Sequence, residues 1–306
     1  MKKGSIVIVY LKLLMTAVFW GGTFIAGRVI AQNVGPFSAA FLRFAIALVF
    51  LLFFVWKNEG TFPLPKKNHI IPAILLGMTG IFAYNFFFFN GLKIIESGRA
   101  SVIVANNPIL IALLSAYFFK ERLTPLKIAG ILISVTGAII VITRGHILEI
   151  FRGNVGLGEL YIFGCVVTWV MYSLIGKAIM KDLSPLLSVT YSVMIGAVAL
   201  FPPAYLEGVT RDFSFYSVSA WVSLFYLGFF GTVLGFVWYY QGIQRIGAMR
   251  AGLFINFVPI SAILLAAVIL REPVTFSLII GVILVSSGVC LTNKQPSQKI
   301  TYKDFA

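Results

Sequence analysis

Ten apolar runs follow one another along the chain, separated by short polar breaks. Each is near the length of about 20 residues that a helix needs to cross the hydrocarbon layer. The runs are Tyr10–Ile30, Phe37–Trp56, Ile70–Leu92, Ala100–Phe119, Leu126–Thr143, Leu157–Ile179, Leu186–Leu206, Ala220–Ile243, Ala251–Leu270 and Phe276–Thr292. No connecting segment is long enough to be a soluble domain. The pattern predicts an all-α integral membrane protein with ten transmembrane helices.

The pattern is also written twice. Pro108 and Glu121 return as Pro259 and Glu272, displaced by 151 positions, and so do Gly77, Gly91, Arg99, Gly130 and Gly137 as Gly228, Gly242, Arg250, Gly281 and Gly288. Trp20, Arg28 and Pro36 match Trp169, Lys177 and Pro185 at an offset of 149, a slip that an intervening loop absorbs. Residues 1–145 and 155–293 are therefore expected to be two five-span repeats, followed by a cytoplasmic tail, 294–306. Five is odd, so the second repeat must enter the bilayer from the opposite side to the first. Inverted repeats of this kind commonly serve alternating access.

Composition agrees. With 59% hydrophobic and 11% charged residues in 306, the chain cannot cover a water-exposed globule. Its net charge of +14 could suggest nucleic acid, but the charge is unevenly placed. With the N-terminus in the cytoplasm, 16 Lys and Arg fall on the inner side and 8 on the outer side or embedded. The positive-inside rule then puts both termini in the cytoplasm of a bacterial-type inner (plasma) membrane, and no nucleic-acid partner is expected. Lys2-Lys3 and the following apolar stretch resemble a signal peptide, yet the Trp20 to Pro36 pattern recurs in mid-chain. The first segment is therefore expected to be an uncleaved span. Cys165 and Cys290 lie in apolar helices without metal-ligand spacing and are expected to be buried, inert thiols.

Four passages carry a family likeness: Trp20-Gly21-Gly22-Thr23-Phe24, Phe41-Leu42-Arg43-Phe44, the Pro108 to Glu121-Arg122 segment, and its counterpart from Pro259 to Glu272-Pro273. Together they resemble the EamA branch of the drug/metabolite transporter superfamily over nearly the whole chain. The resemblance implies an exporter or exchanger of small metabolites such as amino acids, bound in a central cavity. It names no substrate.

Gly130 and Gly137, and likewise Gly281 and Gly288, stand seven apart, which lines each pair along one helix face. Spans five and ten are expected to pack together as scaffold. Pro108 and Pro259 should break spans four and nine and free a carbonyl. Asn106, Asn107 and Asn256 precede these helix breaks, where they could satisfy backbone or contact substrate. Arg43 lies about 10 Å into span two at the helical rise, and a charge at that depth must snorkel, pair or face water. The family likeness implies a structural role for it, while its guanidinium would also suit a carboxylate. Arg28 and Lys177 are expected to snorkel at span ends.

Inverted symmetry predicts one mid-depth cavity. Trp20, Thr23 and Phe24 should face Trp169, Tyr172 and Ser173, with Asn107, Asn256, Tyr84, Trp238 and Arg43 completing the substrate-binding set. The paired tryptophans could stack on an aromatic or cationic substrate. Leu278 is expected to face lipid. No G-x-x-x-x-G-K-[ST] motif and no mid-membrane acid is present, so facilitated transport or exchange is expected, or weak coupling through Glu159 at the mouth of span six. His69 and His146 should be solvated loop residues. There is no constellation for an enzyme or a metal site, and no cofactor is expected. The predicted protein is a monomeric transporter of small metabolites, with amino acids, aromatic ones included, as first choice; the alternatives are a multidrug or organic-cation exporter and, behind it, a membrane-embedded non-transport protein. A channel would favour a continuous polar stripe, which the chain lacks.

Overall fold

The computed structural model describes residues 3–60, 63, 65–107, 109–110, 114, 124–143, 145, 156–180, 182–246, 251–252 and 254–293. Pro108, Glu121, Arg144, His146, Asn154 and Arg250 lie outside the described residues, as do the Lys177 side chain, both termini and the 294–306 tail.

Among the described residues the chain is helical, without strands. The helices are α1 (Lys3–Ala31), α2 (Pro36–Glu59), α3 (Lys67–Ile94), α4 (Ser97–Val104) and α5 (Pro125–Ile142). They continue as α6 (Leu157–Ile179), α7 (Pro185–Leu206), α8 (Val218–Ile246), α9 (Phe254–Leu270) and α10 (Phe276–Asn293). Seven of these, α1–α3 and α5–α8, are long and apolar enough to cross a membrane. The predicted runs match these seven within a few residues, except that α1 begins at Lys3, seven residues before Tyr10; α9 and α10 are shorter apolar helices, and only the start of span four is described as a regular helix. Large apolar side chains such as Val49, Val198, Leu264 and Val268 stand exposed on the outside, as they do where lipid replaces water.

Helix starts carry local signatures. Pro occupies the first helical turn of α2, α5 and α7, where its missing N–H is no loss. Thr124, Ser184 and Ser217 accept from Lys127, Leu187 and Ala220 backbone N–H groups and so cap α5, α7 and α8. Two starts lack a side-chain cap of their own and borrow a carboxylate from the other half. Glu207 accepts from Phe37 N and Ser38 N of α2 at 3.2 and 2.7 Å. Glu272 accepts from Ser97 N and Gly98 N of α4 at 3.1 and 3.2 Å. The preceding residue, Arg271, adopts the left-handed conformation (φ 54°) and ends α9.

Packing between the halves is reciprocal. α1 lies against α8 and α9, while α6 lies against α3 and α4; α2 packs on α7, and α5 on α10. The α5–α10 contact is the predicted scaffold. A Cβ on Gly288 would come within 2.5 Å of the Gly130 carbonyl and 2.6 Å of Ser134 N, and one on Gly137 within 2.9 Å of the Gly281 carbonyl. Backbones this close require the missing side chains.

Several expectations are corrected. Leu278 is buried in the cluster formed with Val102, Ile109 and Val141, so it does not face lipid. Cys165 is buried, but Cys290 is on an exposed face of α10. Arg28 donates to the carbonyls of Leu92 and Ile95, the latter at 3.0 Å, and thereby caps the C-terminus of α3 instead of snorkelling. His69 is buried in α3, its Nε2 3.7 Å from Asp182.

Candidate functional site

Two long helices depart from α geometry at matched places. In α3 the Tyr84 N–H donates to the Thr79 carbonyl five residues back, and the segment Gly77–Ala83 is π-helical. In α8 the Gly235 N–H reaches the Phe230 carbonyl, within a π-helical segment over Leu227–Leu234. Gly77 and Gly80 correspond to Gly228 and Gly231 at the repeat offset of 151. Such bulges are frequent at functional sites. These breaks lie away from the paired prolines, and the repeated G-x-x-G is their mark in the sequence.

Beside the bulges lies a cavity lined by Trp20, Thr23, Phe24, Arg43, Tyr84, Asn85, Phe88, Val104, Asn107, Trp169, Phe236, Ile255 and Val258. Four of these residues pair with four others across the duplication: Trp20 with Trp169, Asn85 with Phe236, Val104 with Ile255, and Asn107 with Val258. The walls are equivalent in position but unequal in chemistry. Thr23, Arg43, Asn85 and Asn107 come from the first half, whereas the second half supplies Trp169, Phe236, Ile255 and Val258. Room for water-sized occupants is about 40 Å³, enough for a few waters at roughly 10–15 Å³ each.

Arg43 is the charged member. Its Nη1 donates to Asn85 Oδ1 at 2.9 Å and its Nη2 to Thr232 Oγ1 at 3.1 Å. Its Nε is buried without a hydrogen-bond partner among the described residues. Asn85 in turn donates to the Ile81 carbonyl, and Thr232 to the Leu227 carbonyl, both within the bulged segments. The guanidinium therefore ties the two bulges together. It also stacks on the Phe44 ring, 4.9 Å away.

The aromatic wall is one packed cluster. Trp20 meets Trp169 edge to face at 5.4 Å, and Phe236 contacts both. Trp20 Nε1 donates to the Gly231 carbonyl at 2.9 Å, which fixes that indole to the α8 bulge. Tyr84 packs on Trp169 at 5.4 Å.

Seven of the eleven predicted residues thus come together: Trp20, Thr23, Phe24, Arg43, Tyr84, Asn107 and Trp169. Four stand apart from the lining. Tyr172 is buried behind Trp169, stacks on Tyr240 at 5.6 Å and shares a hydrogen bond with Ser192. Ser173 is buried next to it. Trp238 lines a separate crevice with Lys12, Gln241 and Arg245, about 500 Å³ in size, near the N-terminus of α1. Asn256 is buried with its Nδ2 3.9 Å from Cys290 Sγ. Asn85, Phe88, Val104, Phe236, Ile255 and Val258 were not foreseen. At the helix breaks, Phe254–Asn256 forms a 3-10 turn before Pro259, while Asn106 donates to the Val102 and Ile103 carbonyls and accepts from Ser134. Asn106 is thus a structural amide; Asn107 lines the cavity, and its buried Oδ1 has no hydrogen-bond partner among the described residues.

Glu159 does not stand free at the mouth of α6. It accepts from Arg99 Nη2 at 2.7 Å, an ion pair almost enclosed by protein. With the Glu207 and Glu272 caps, this pair joins the halves at the end of the molecule opposite the Trp238 crevice.

Comparison with known proteins places this geometry in a family context. The model of the EamA-like transporter family matches twice, over residues 7–143 and 156–294. The chain is 32% identical to the "Uncharacterized transporter YyaM" of Bacillus subtilis (strain 168) over 281 residues, 92% of each protein. It is 28% identical to the "Probable terminal-alkyne amino-acid exporter" of Streptantibioticus cattleyicolor over 284 residues, again 92% of each. A crystal structure at 21% identity superposes with a TM-score of 0.63, covering 93% of this chain and 97% of that one, a likeness of fold.

Proposed function

This chain belongs to the EamA-like transporter family, and from that premise we propose that it carries amino acids, aromatic ones included, through the central cavity by alternating access. It is a membrane protein whose partners are the bilayer and a small molecule. The observation that carries the reading is the cavity walled by repeat-equivalent residues, Trp20 with Trp169 and Val104 with Ile255. A site on the seam between two halves changes access when the halves rock against each other. Its small free volume of about 40 Å³ fits a closed stage of such a cycle, since occupied small-molecule sites run to roughly 300 Å³ or more.

Amino acids suit the lining. A packed aromatic wall takes an apolar side chain, and Arg43 and Asn107 offer polar groups for the head. An organic cation would meet the Arg43 charge, which weighs against that alternative. The name of the Streptantibioticus relative points the same way. In this reading the two halves are inverted five-span repeats, divided near residues 145 and 155. The monomer is the working unit, and both termini face the cytoplasm of an inner membrane. Among the described residues no acid lies in the middle of a span, so flux is facilitated or exchanging. Purified protein in liposomes should take up labelled amino acids, aromatic ones among them, with and without a pH gradient. Uptake equal to that of empty liposomes for the whole panel would refute the proposal.

A further inference from the structure

We propose that Arg43 is the anchor for the substrate's carboxylate and that Asn107 Oδ1 receives its ammonium group, which orients the substrate with its head on the first half and its side chain on the second. The assignment rests on the reading of the cavity as a transport site and adds which groups recognise which end.

A guanidinium away from water is expensive unless an opposite charge balances it. Arg43 is buried, yet among the described residues no carboxylate lies within ion-pair distance of it; its two bonded acceptors, Asn85 Oδ1 and Thr232 Oγ1, are neutral. Neutral acceptors hold the group in place and leave its charge uncancelled. An arginine serving only to brace two helices would be expected to meet a carboxylate or backbone carbonyls, as Arg99 and Arg28 do. Arg43 instead meets only neutral side chains among the described residues and borders a cavity, into which its Nε can still donate. The Nε and Nη2 edge of a guanidinium grips both oxygens of a carboxylate at once.

The second observation is the matching acceptor. Asn107 is 1% exposed, lines the same cavity, and its Oδ1 lacks a donor among the described residues. An unbonded donor on a cation and an unbonded neutral acceptor in one cavity are what a zwitterion would satisfy together. Their repeat partners do not duplicate the function: Arg43 corresponds to Ser192 at the 149 offset, and Asn107 to Val258 at 151. The duplication supplied the cavity's shape, and later divergence gave one side the polar groups and the other the apolar wall.

Three probes sharing one ring test the assignment: L-phenylalanine, its decarboxylated counterpart phenethylamine, and its deaminated counterpart 3-phenylpropionate. Binding to the purified protein is read from tryptophan fluorescence, since Trp20 and Trp169 line the cavity. Wild type should bind phenylalanine about ten-fold or more tightly than phenethylamine, the scale of a charge-assisted pair of hydrogen bonds. Arg43→Gln should erase that preference. Should this variant misfold, Asn85→Asp serves alone: it sets a carboxylate beside the guanidinium and should weaken phenylalanine and 3-phenylpropionate about ten-fold while sparing phenethylamine. A merely structural Arg43 would be better braced by the added carboxylate and leave the preference intact, which would overturn the proposal. Asn107→Leu should weaken phenylalanine but not 3-phenylpropionate; equal loss of both would remove Asn107 from its role. Uptake into liposomes separates this claim from the one beneath it. Transport of phenethylamine but not phenylalanine would keep the carrier and overturn the anchor. Arg43-dependent binding without uptake of any probe would do the reverse. Failure of all three probes to bind at millimolar concentration would overturn both.

Discussion

Trp20 and Trp169 meet edge to face at 5.4 Å, each held by further rings, so the cavity's aromatic wall is a stiff surface. Trp169→Ala should weaken phenylalanine binding by several-fold, about 1 kcal/mol for one lost ring contact. Leu264→Ala, on the exposed face of α9, should leave it unchanged; equal affinities in a binding titration would return Trp169 to plain packing. Glu159 tests coupling. Because it is bound to Arg99 at 2.7 Å, Glu159→Gln should lower the melting temperature and leave downhill flux largely intact. Loss of a proton-driven flux in that variant would make Glu159 a titrating site. The residues legible in the sequence were those whose types are conspicuous in a membrane: two tryptophans at matched positions, one embedded arginine, an amide before a proline. Asn85, Val104, Phe236 and Ile255 carry no such mark. They belong to the lining because of helix rotation, which hydropathy does not encode. Trp238 misled for the same reason: on α8 it faces Lys12 and the crevice, with Phe236 on the cavity side.

Among elements, the α5–α10 pair shows how spacing becomes structure. Glycines seven apart on each helix bring backbones together, and Gly288 lies against the Gly130 carbonyl. Gly288→Ala should cost about 1–3 kcal/mol through overpacking, read as a lower melting temperature, whereas Gly252→Ala, whose added Cβ meets no described atom within 4 Å, should be neutral. Matching melting temperatures for the two variants would mean that α5 and α10 can part without penalty. Apolar run length located the helices well, since crossing hydrocarbon demands about 20 residues of one kind. The π-helical segments in α3 and α8 were not legible from run length, because a bulge of one residue leaves an apolar run apolar. The borrowed caps were equally hidden. Gly35 offers α2 no side chain, and only the fold brings Glu207 to its N-terminus.

For the whole molecule, the duplication was the most legible feature, because 151-residue offsets need no structure to be counted. Reciprocal packing of α1 on α8 and α9, and of α6 on α3 and α4, is its three-dimensional form. The proposed orientation in the membrane rests on the placement of Lys and Arg, and labelling tests it. A cysteine at Ser214, exposed between α7 and α8, should react with an impermeant reagent from outside, and one at Asn68 should not. The opposite pattern would invert the topology. Alternating access itself is tested most directly by counterflow. Liposomes carrying the protein and preloaded with unlabelled L-phenylalanine should transiently accumulate external labelled L-phenylalanine above its equilibrium level, because a carrier exposes one cavity to each side in turn. Label that rises only to equilibrium, at a rate indifferent to the preload, would contradict a carrier and indicate a pore.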